Sequence, residues 1–150
     1  MSHAAKAPLP SSYWHLARQL PIYFLRPKSV CTLLREGQNV ATILIVEDDR
    51  EIRALAQSLI EEQGHKTLSA ATLDEALAIL SGSEVVDALF VDIILKGEMR
   101  AGIELAKRAV EHKPDLKVLY STGLAVTDDI KALVVPGSTI LEKPYSETSF

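Results

Sequence analysis

Between residues 42 and 142 the chain repeats one pattern five times: a short strand-like run, then polar residues, then, in all but the last case, an amphipathic stretch. No other feature restricts the fold as much. The runs are Ile43–Val46, Lys66–Ala70, Ala88–Asp92, Leu116–Tyr120 and Thr139–Glu142. The intervening stretches have helical spacing. Arg50–Gln63 places Ile52, Leu55, Ala56, Leu59 and Ile60 on one face and is closed by Gly64. Thr72-Leu-Asp-Glu75 reads as a capping box that starts a helix through Leu80, and Ser81-Gly82-Ser83 reads as a loop. Gly102 precedes a helix with Ile103, Ala106, Ala109 and Val110 inward, ended by Pro114. A weaker helix runs from Asp128 to Val134, and Pro136-Gly137 turns the chain into the last strand. Such alternation predicts an α/β fold, doubly wound, with five parallel strands, right-handed crossovers and helices on both faces.

The third run is the most informative. Ala88-Leu-Phe-Val is wholly apolar, as a strand buried on both faces must be, and it ends in the carboxylate of Asp92 before a loop with Lys96 and Gly97. In open parallel sheets ligands bind at the carboxyl ends of the strands. Glu47 and Asp48 end the first strand, Thr122 follows the fourth and Lys143 the fifth. Taken singly, each has a plainer reading as a helix cap, a turn residue or a surface charge. Five such residues in order, each after its own strand, converge on one edge.

Composition sets limits on partners. The chain has 150 residues, 47% hydrophobic and 24% charged, which suits one domain with a real core, here residues 40–150, preceded by an extension over residues 1–39. The extension sets Lys6, Arg18, Arg26, Lys28 and Arg35 against Glu36 alone, a net +4. With −4 overall, residues 40–150 carry −8. An acidic domain argues against nucleic acid as a partner and favours a divalent cation. Cys31 is the single cysteine, so no intrachain disulfide forms. No apolar run reaches membrane-spanning length and the N-terminus has no signal-peptide pattern, which together predict a cytoplasmic chain without membrane contact. In the extension, Tyr13, Leu16, Ala17 and Leu20 share one face of a candidate helix, and Pro27 opens a second through Val30, Leu33 and Leu34 to Gly37; the other reading is an unstructured leader.

Clustered carboxylates repel one another unless a cation joins them. Mg²⁺, a hard ion that prefers oxygen ligands, relieves that repulsion. A carboxylate beside it is a competent nucleophile toward phosphorus, a lysine neutralises a phosphoryl oxygen, and a threonine hydroxyl hydrogen-bonds another.

The stretches ILIVEDD (43–49), LFVDIIL (89–95), LYSTG (119–123) and EKPY (142–145) resemble the receiver domain of two-component response regulators, here of the single-domain, stand-alone type. The resemblance implies the strand order 2-1-3-4-5. It implies Asp92 as phosphoacceptor, with a metal site of Glu47, Asp48, Asp92 and the backbone carbonyl of Ile94. Thr122 matches the switch hydroxyl, Lys143 the invariant lysine, and Lys143–Pro144 a cis bond. Asp49 lies one place beyond the acidic pair and is not expected to be a ligand. The implied partners are a sensor histidine kinase or a histidine phosphotransfer protein and a downstream protein, with a homodimer also open. The chain would assist its own phosphorylation without being an enzyme in the usual sense.

The sequence departs from the family in three places. Ile140 stands where the switch aromatic is usual, which predicts a different or weak readout on the fourth-helix face. Ile94 and Leu124, at positions that influence the attacking water, are apolar and predict slow self-dephosphorylation. The fifth helix would follow Tyr145, where only Ser146–Phe150 remain, so it is expected to be truncated or absent. The extension is then the candidate to cover the strip it leaves, in cis or by exchange between two chains. Two other functions compete: a non-catalytic dimerisation or interaction module on the same fold, and a small phosphatase using Asp92. The phosphatase would need a general acid and a substrate cap, and neither is visible.

Overall fold

The computed structural model describes residues 40–145; the expectations for residues 1–39 and 146–150, including the covering of the sheet by the extension, lie outside the described residues. Five strands form one parallel sheet: β1 Thr42–Val46, β2 Lys66–Ala70, β3 Ala88–Asp92, β4 Lys117–Thr122 and β5 Thr139–Glu142. Their order is β2-β1-β3-β4-β5, as expected. Four helices alternate with them: α1 Arg50–Glu62, α2 Leu73–Ser81, α3 Ala101–His112 and α4 Asp128–Leu133.

The two sheet faces follow from side-chain alternation. Leu44, Val46, Leu89, Val91, Val118 and Tyr120 point to the face covered by α2 and α3. Ile43, Ile45, Phe90, Leu119 and Leu141 point to the other, where Ala56, Leu59 and Ile60 of α1 pack. Every residue of β3 is buried, so the sheet centre leads directly to Asp92.

Local chemistry sets the helix starts. Asp49 caps α1, its Oδ1 accepting from the amides of Glu51 at 2.8 Å and Ile52 at 3.0 Å. Thr72 caps α2 through the Glu75 amide, while the Glu75 carboxylate accepts from Ala71 N–H, one residue earlier than in the usual reciprocal box.

Several sequence-based boundaries shift. β4 extends over Ser121 and Thr122, because the ladder continues on both sides: Ser121 pairs with Asp92 and Leu141, and Thr122 with Glu142. α2 takes in Ser81, whereas α1 stops at Glu62 and α4 at Leu133. Gly102 lies inside the first turn of α3, not before it. A side chain there would collide with the Asp92 carbonyl oxygen, so glycine lets this helix close onto the end of β3. The Gly102 amide donates to the Ile93 carbonyl at 3.2 Å.

Candidate functional site

Asp92, Glu47 and Lys143 come from three strand ends and meet below the surface. Glu47 is 1% exposed and Asp92 6%. Lys143 Nζ donates to Asp92 Oδ2 at 2.6 Å and to Glu47 Oε2 at 2.8 Å. Burial pushes the Glu47 carboxyl above its ordinary range, against the pull of Lys143. Burial alone would lower the Lys143 ammonium, but its bonds to Asp92 and Glu47 outweigh this and raise it. The lysine is therefore charged at neutral pH. Its backbone is fixed by a 2.8 Å bond from Lys143 N–H to the Thr122 carbonyl, next to the cis Lys143–Pro144 bond.

Asp48 completes the cluster from the solvent side. Carboxylate oxygens of Glu47, Asp48 and Asp92 all lie within 4.8 Å of one another. Asp48 is exposed, and its Oδ2 accepts from the Lys96 amide at 3.1 Å. Two buried carboxylates and an open one, with one lysine against three negative charges, leave a charge deficit that a hard cation would fill. The donor set fits Mg²⁺, which binds through few carboxylates and keeps several waters.

The other expected positions take their places around this cluster. The Ile94 amide donates to Asp92 Oδ1 at 3.2 Å, which orients the carboxylate. Thr122 is buried one residue beyond the position opposite Asp92, and its Oγ1 accepts from the Leu124 amide at 3.0 Å. Among the described bonds this hydroxyl is joined to its own loop, not to the carboxylates. Asp49 is a helix cap rather than a member of the cluster.

The sequence reading passed over two residues. Arg53 of α1 donates from Nη1 to the Glu47 carbonyl at 2.6 Å. Tyr120 is fully buried beside Ile140 in the ladder, and its hydroxyl accepts from the Val135 amide at 3.3 Å, tying β4 to the segment after α4. Arg53 bonds backbone carbonyls, which leave no mark in a sequence. Nothing in the sequence marked the second, since Tyr120 reads as one more core residue.

A family model described as "Response regulator receiver domain" matches residues 43–150. The chain belongs to that family. Among curated proteins, the receiver resembles the response regulator SaeR of Staphylococcus aureus (strain USA300), 29% identical over 105 residues, which is 69% of this chain and 44% of SaeR. The chain thus spans less than half the length of the curated relatives it matches. Among solved structures, a CheY-like receiver domain protein of Methanospirillum hungatei JF-1 is 28% identical with a TM-score of 0.60, covering 72% of this chain and 85% of that one. The response regulator TrrA of Thermotoga maritima, solved in complex with Mg(2+)-BeF, is 26% identical with a TM-score of 0.58, covering 70% of this chain and 88% of that one. In the described residues no helix is long and apolar enough to cross a membrane.

The receiver's lysine gives a pH-dependent expectation. In Lys143→Met, Glu47 and Asp92 lose their shared counter-charge while still buried. Breaking a buried pair from one side costs about 3 kcal/mol. The Glu47 carboxyl, already raised by burial, rises further. A carboxyl raised in the folded state costs stability once ionised, so the deficit grows as pH rises through the raised value and fades in acid. Urea denaturation of wild type and variant at neutral and mildly acidic pH checks this. A gap that does not narrow in acid would contradict it.

Proposed function

We propose that the chain is a phosphoacceptor, taking a phosphoryl group onto Asp92 from the phosphohistidine of a sensor histidine kinase or a histidine phosphotransfer protein. One observation carries this reading: a buried carboxylate at a central strand end, bonded to a lysine and opening onto a second, exposed carboxylate. An oxygen of Asp92 attacks phosphorus, the P–O bond forms as the P–N bond breaks, and the imidazole nitrogen keeps the electron pair. Lys143 moves its charge from the carboxylate to a phosphoryl oxygen. The Thr122 hydroxyl, buried one residue beyond the position opposite Asp92, would leave Leu124 for another phosphoryl oxygen. Glu47, Asp48, Asp92 and the Ile94 carbonyl would hold Mg²⁺, which supplies charge neutralisation. The acidic cluster of this chain, and its likeness in fold to TrrA, which was solved in complex with Mg(2+)-BeF, support that assignment.

The acceptor is consumed and regenerated on the protein itself, so the chain is not proposed as an enzyme acting on a separate substrate. Half-buried Ile94 and exposed Leu124 offer no hydrogen bond to a hydrolytic water, and the phosphorylated form should be long-lived. The new charge would be read by a downstream protein.

Incubation with acetyl phosphate, followed by intact mass, tests the proposal. The expected result is a gain of one phosphoryl group with Mg²⁺, no gain with EDTA, and decay over many minutes after the donor is removed. No gain by a folded, Mg²⁺-supplied chain would favour an interaction module on the same fold. Decay within seconds would refute the argument from Ile94 and Leu124.

A further inference from the structure

We infer that Arg53 is a positioning residue for the cation site, acting through the backbone of the two acidic residues rather than through their carboxylates. This rests on the metal reading above. Arg53 Nη1 donates to the carbonyl oxygen of Glu47 at 2.6 Å and lies 3.4 Å from that of Asp48. The residues it grips are the two that carry the acidic pair at the end of β1.

The surrounding bonds show what the grip completes. The Glu47 amide donates to the Ala70 carbonyl of β2 at 3.2 Å. The Asp49 amide donates to Glu47 Oε1 at 3.2 Å, and the Asp49 carboxylate caps α1. Among the described residues, Arg53 alone gives the carbonyls of Glu47 and Asp48 a side-chain hydrogen bond. The turn and the first helical turn of α1 thus close on themselves: the helix that Asp49 starts returns a guanidinium to the peptide units just before it. A charge-assisted bond of this kind is stronger than a neutral one, and arginine's fixed fork gives it direction.

Arg53 and Lys143 are both cations near three carboxylates, yet they stand differently toward a divalent ion. Lys143 bonds the carboxylates themselves, on Glu47 and Asp92. Arg53 bonds carbonyl oxygens and none of the cluster's carboxylate oxygens. This gives the two possible roles of Arg53 opposite signs. If it mattered only as a nearby positive charge, its removal would relieve repulsion and tighten cation binding. As a positioning residue, its removal lets the Glu47–Asp48 turn rotate and weakens binding. Partners that orient ligands without touching the metal typically contribute about tenfold or more in affinity.

The experiment is calorimetric titration of the full chain with Mg²⁺ alone, for wild type, Arg53→Ala and Arg53→Lys, with the melting temperature of each. The expected result is a Kd raised about tenfold in Arg53→Ala, with partial recovery in Arg53→Lys, which keeps one donor but not the fork. A Kd unchanged in Arg53→Ala, with only a lower melting temperature, would make Arg53 a stabilising residue and overturn the inference. A lower Kd would assign it to plain electrostatics and overturn it equally. If wild type itself shows no Mg²⁺ binding, the metal reading falls and the Arg53 inference with it. Should Arg53→Ala fail to fold, Arg53→Gln, which keeps a neutral donor, carries the same comparison.

Discussion

Asp92→Asn is expected to gain no phosphoryl mass under conditions that load the wild-type chain completely. The substitution keeps the shape of the side chain and an acceptor oxygen for the Ile94 amide. It removes the negative charge that makes the oxygen a nucleophile. An amide oxygen beside a lysine is a poor attacking group, so the loss should be total on the timescale of wild-type loading. Stability should move the other way. Asp92 is one of three clustered carboxylates, and the two buried ones, Glu47 and Asp92, share Lys143. With asparagine at position 92, Lys143 retains Glu47 at 2.8 Å and the cluster carries one negative charge fewer. The melting temperature should therefore hold or rise. Phosphoryl gain by the variant would move the acceptor role to Asp48 or Glu47, and a marked fall in melting temperature would contradict the charge argument.

The largest expected effect on stability comes from a residue with no functional group. Gly102→Ala places a methyl on the Asp92 carbonyl oxygen, and Val91 Cγ2 lies only 3.0 Å away. Both neighbours belong to the central strand, so neither can yield without moving the sheet or the start of α3. Overpacking of this kind costs about 3 kcal/mol. The nearby Gly123 is the natural control, because an added methyl there meets nothing within 4 Å. Gly123→Ala should stay within about 0.5 kcal/mol of wild type. Urea denaturation of the two variants side by side checks the contrast. Equal stabilities would mean that α3 can shift freely and that Gly102 is no constraint. The effect should reach the site as well, since the peptide that moves carries Asp92.

Gly102 shows where sequence reasoning stopped. Its position near a helix start was legible, but its reason was not, because that reason lies across space in the Asp92 carbonyl. The strand ends were legible for the opposite reason. A parallel sheet forces every β-to-α junction onto one edge, so Glu47, Asp48, Asp92 and Lys143 could be brought together from order alone, and the structure joins them by bonds and short separations. Thr122 was placed at the correct edge, though its hydroxyl is bonded to Leu124. Arg53 stayed hidden because it touches backbone, and backbone carbonyls leave no mark in a sequence. Asp49 was set apart from the acidic pair, and its use as a helix cap became visible only with the bonds to Glu51 and Ile52. The absence of an aromatic at position 140 was read directly. Tyr120, its ladder neighbour, turned out to supply the aromatic link to the segment after α4.

Lys143 follows β5, which has four residues and lies at the edge of the sheet. Its partners Asp92 and Glu47 are 51 and 96 positions away in sequence. The three charges can therefore meet only after nearly all of the described chain has been threaded and docked, and loops of that length close late. Edge elements are also among the first to open in partial unfolding. Fraying of β5 alone would withdraw the lysine while the central strands stayed protected from hydrogen exchange. The site is thus tied to an edge strand, and its chemistry would fail before the central sheet does.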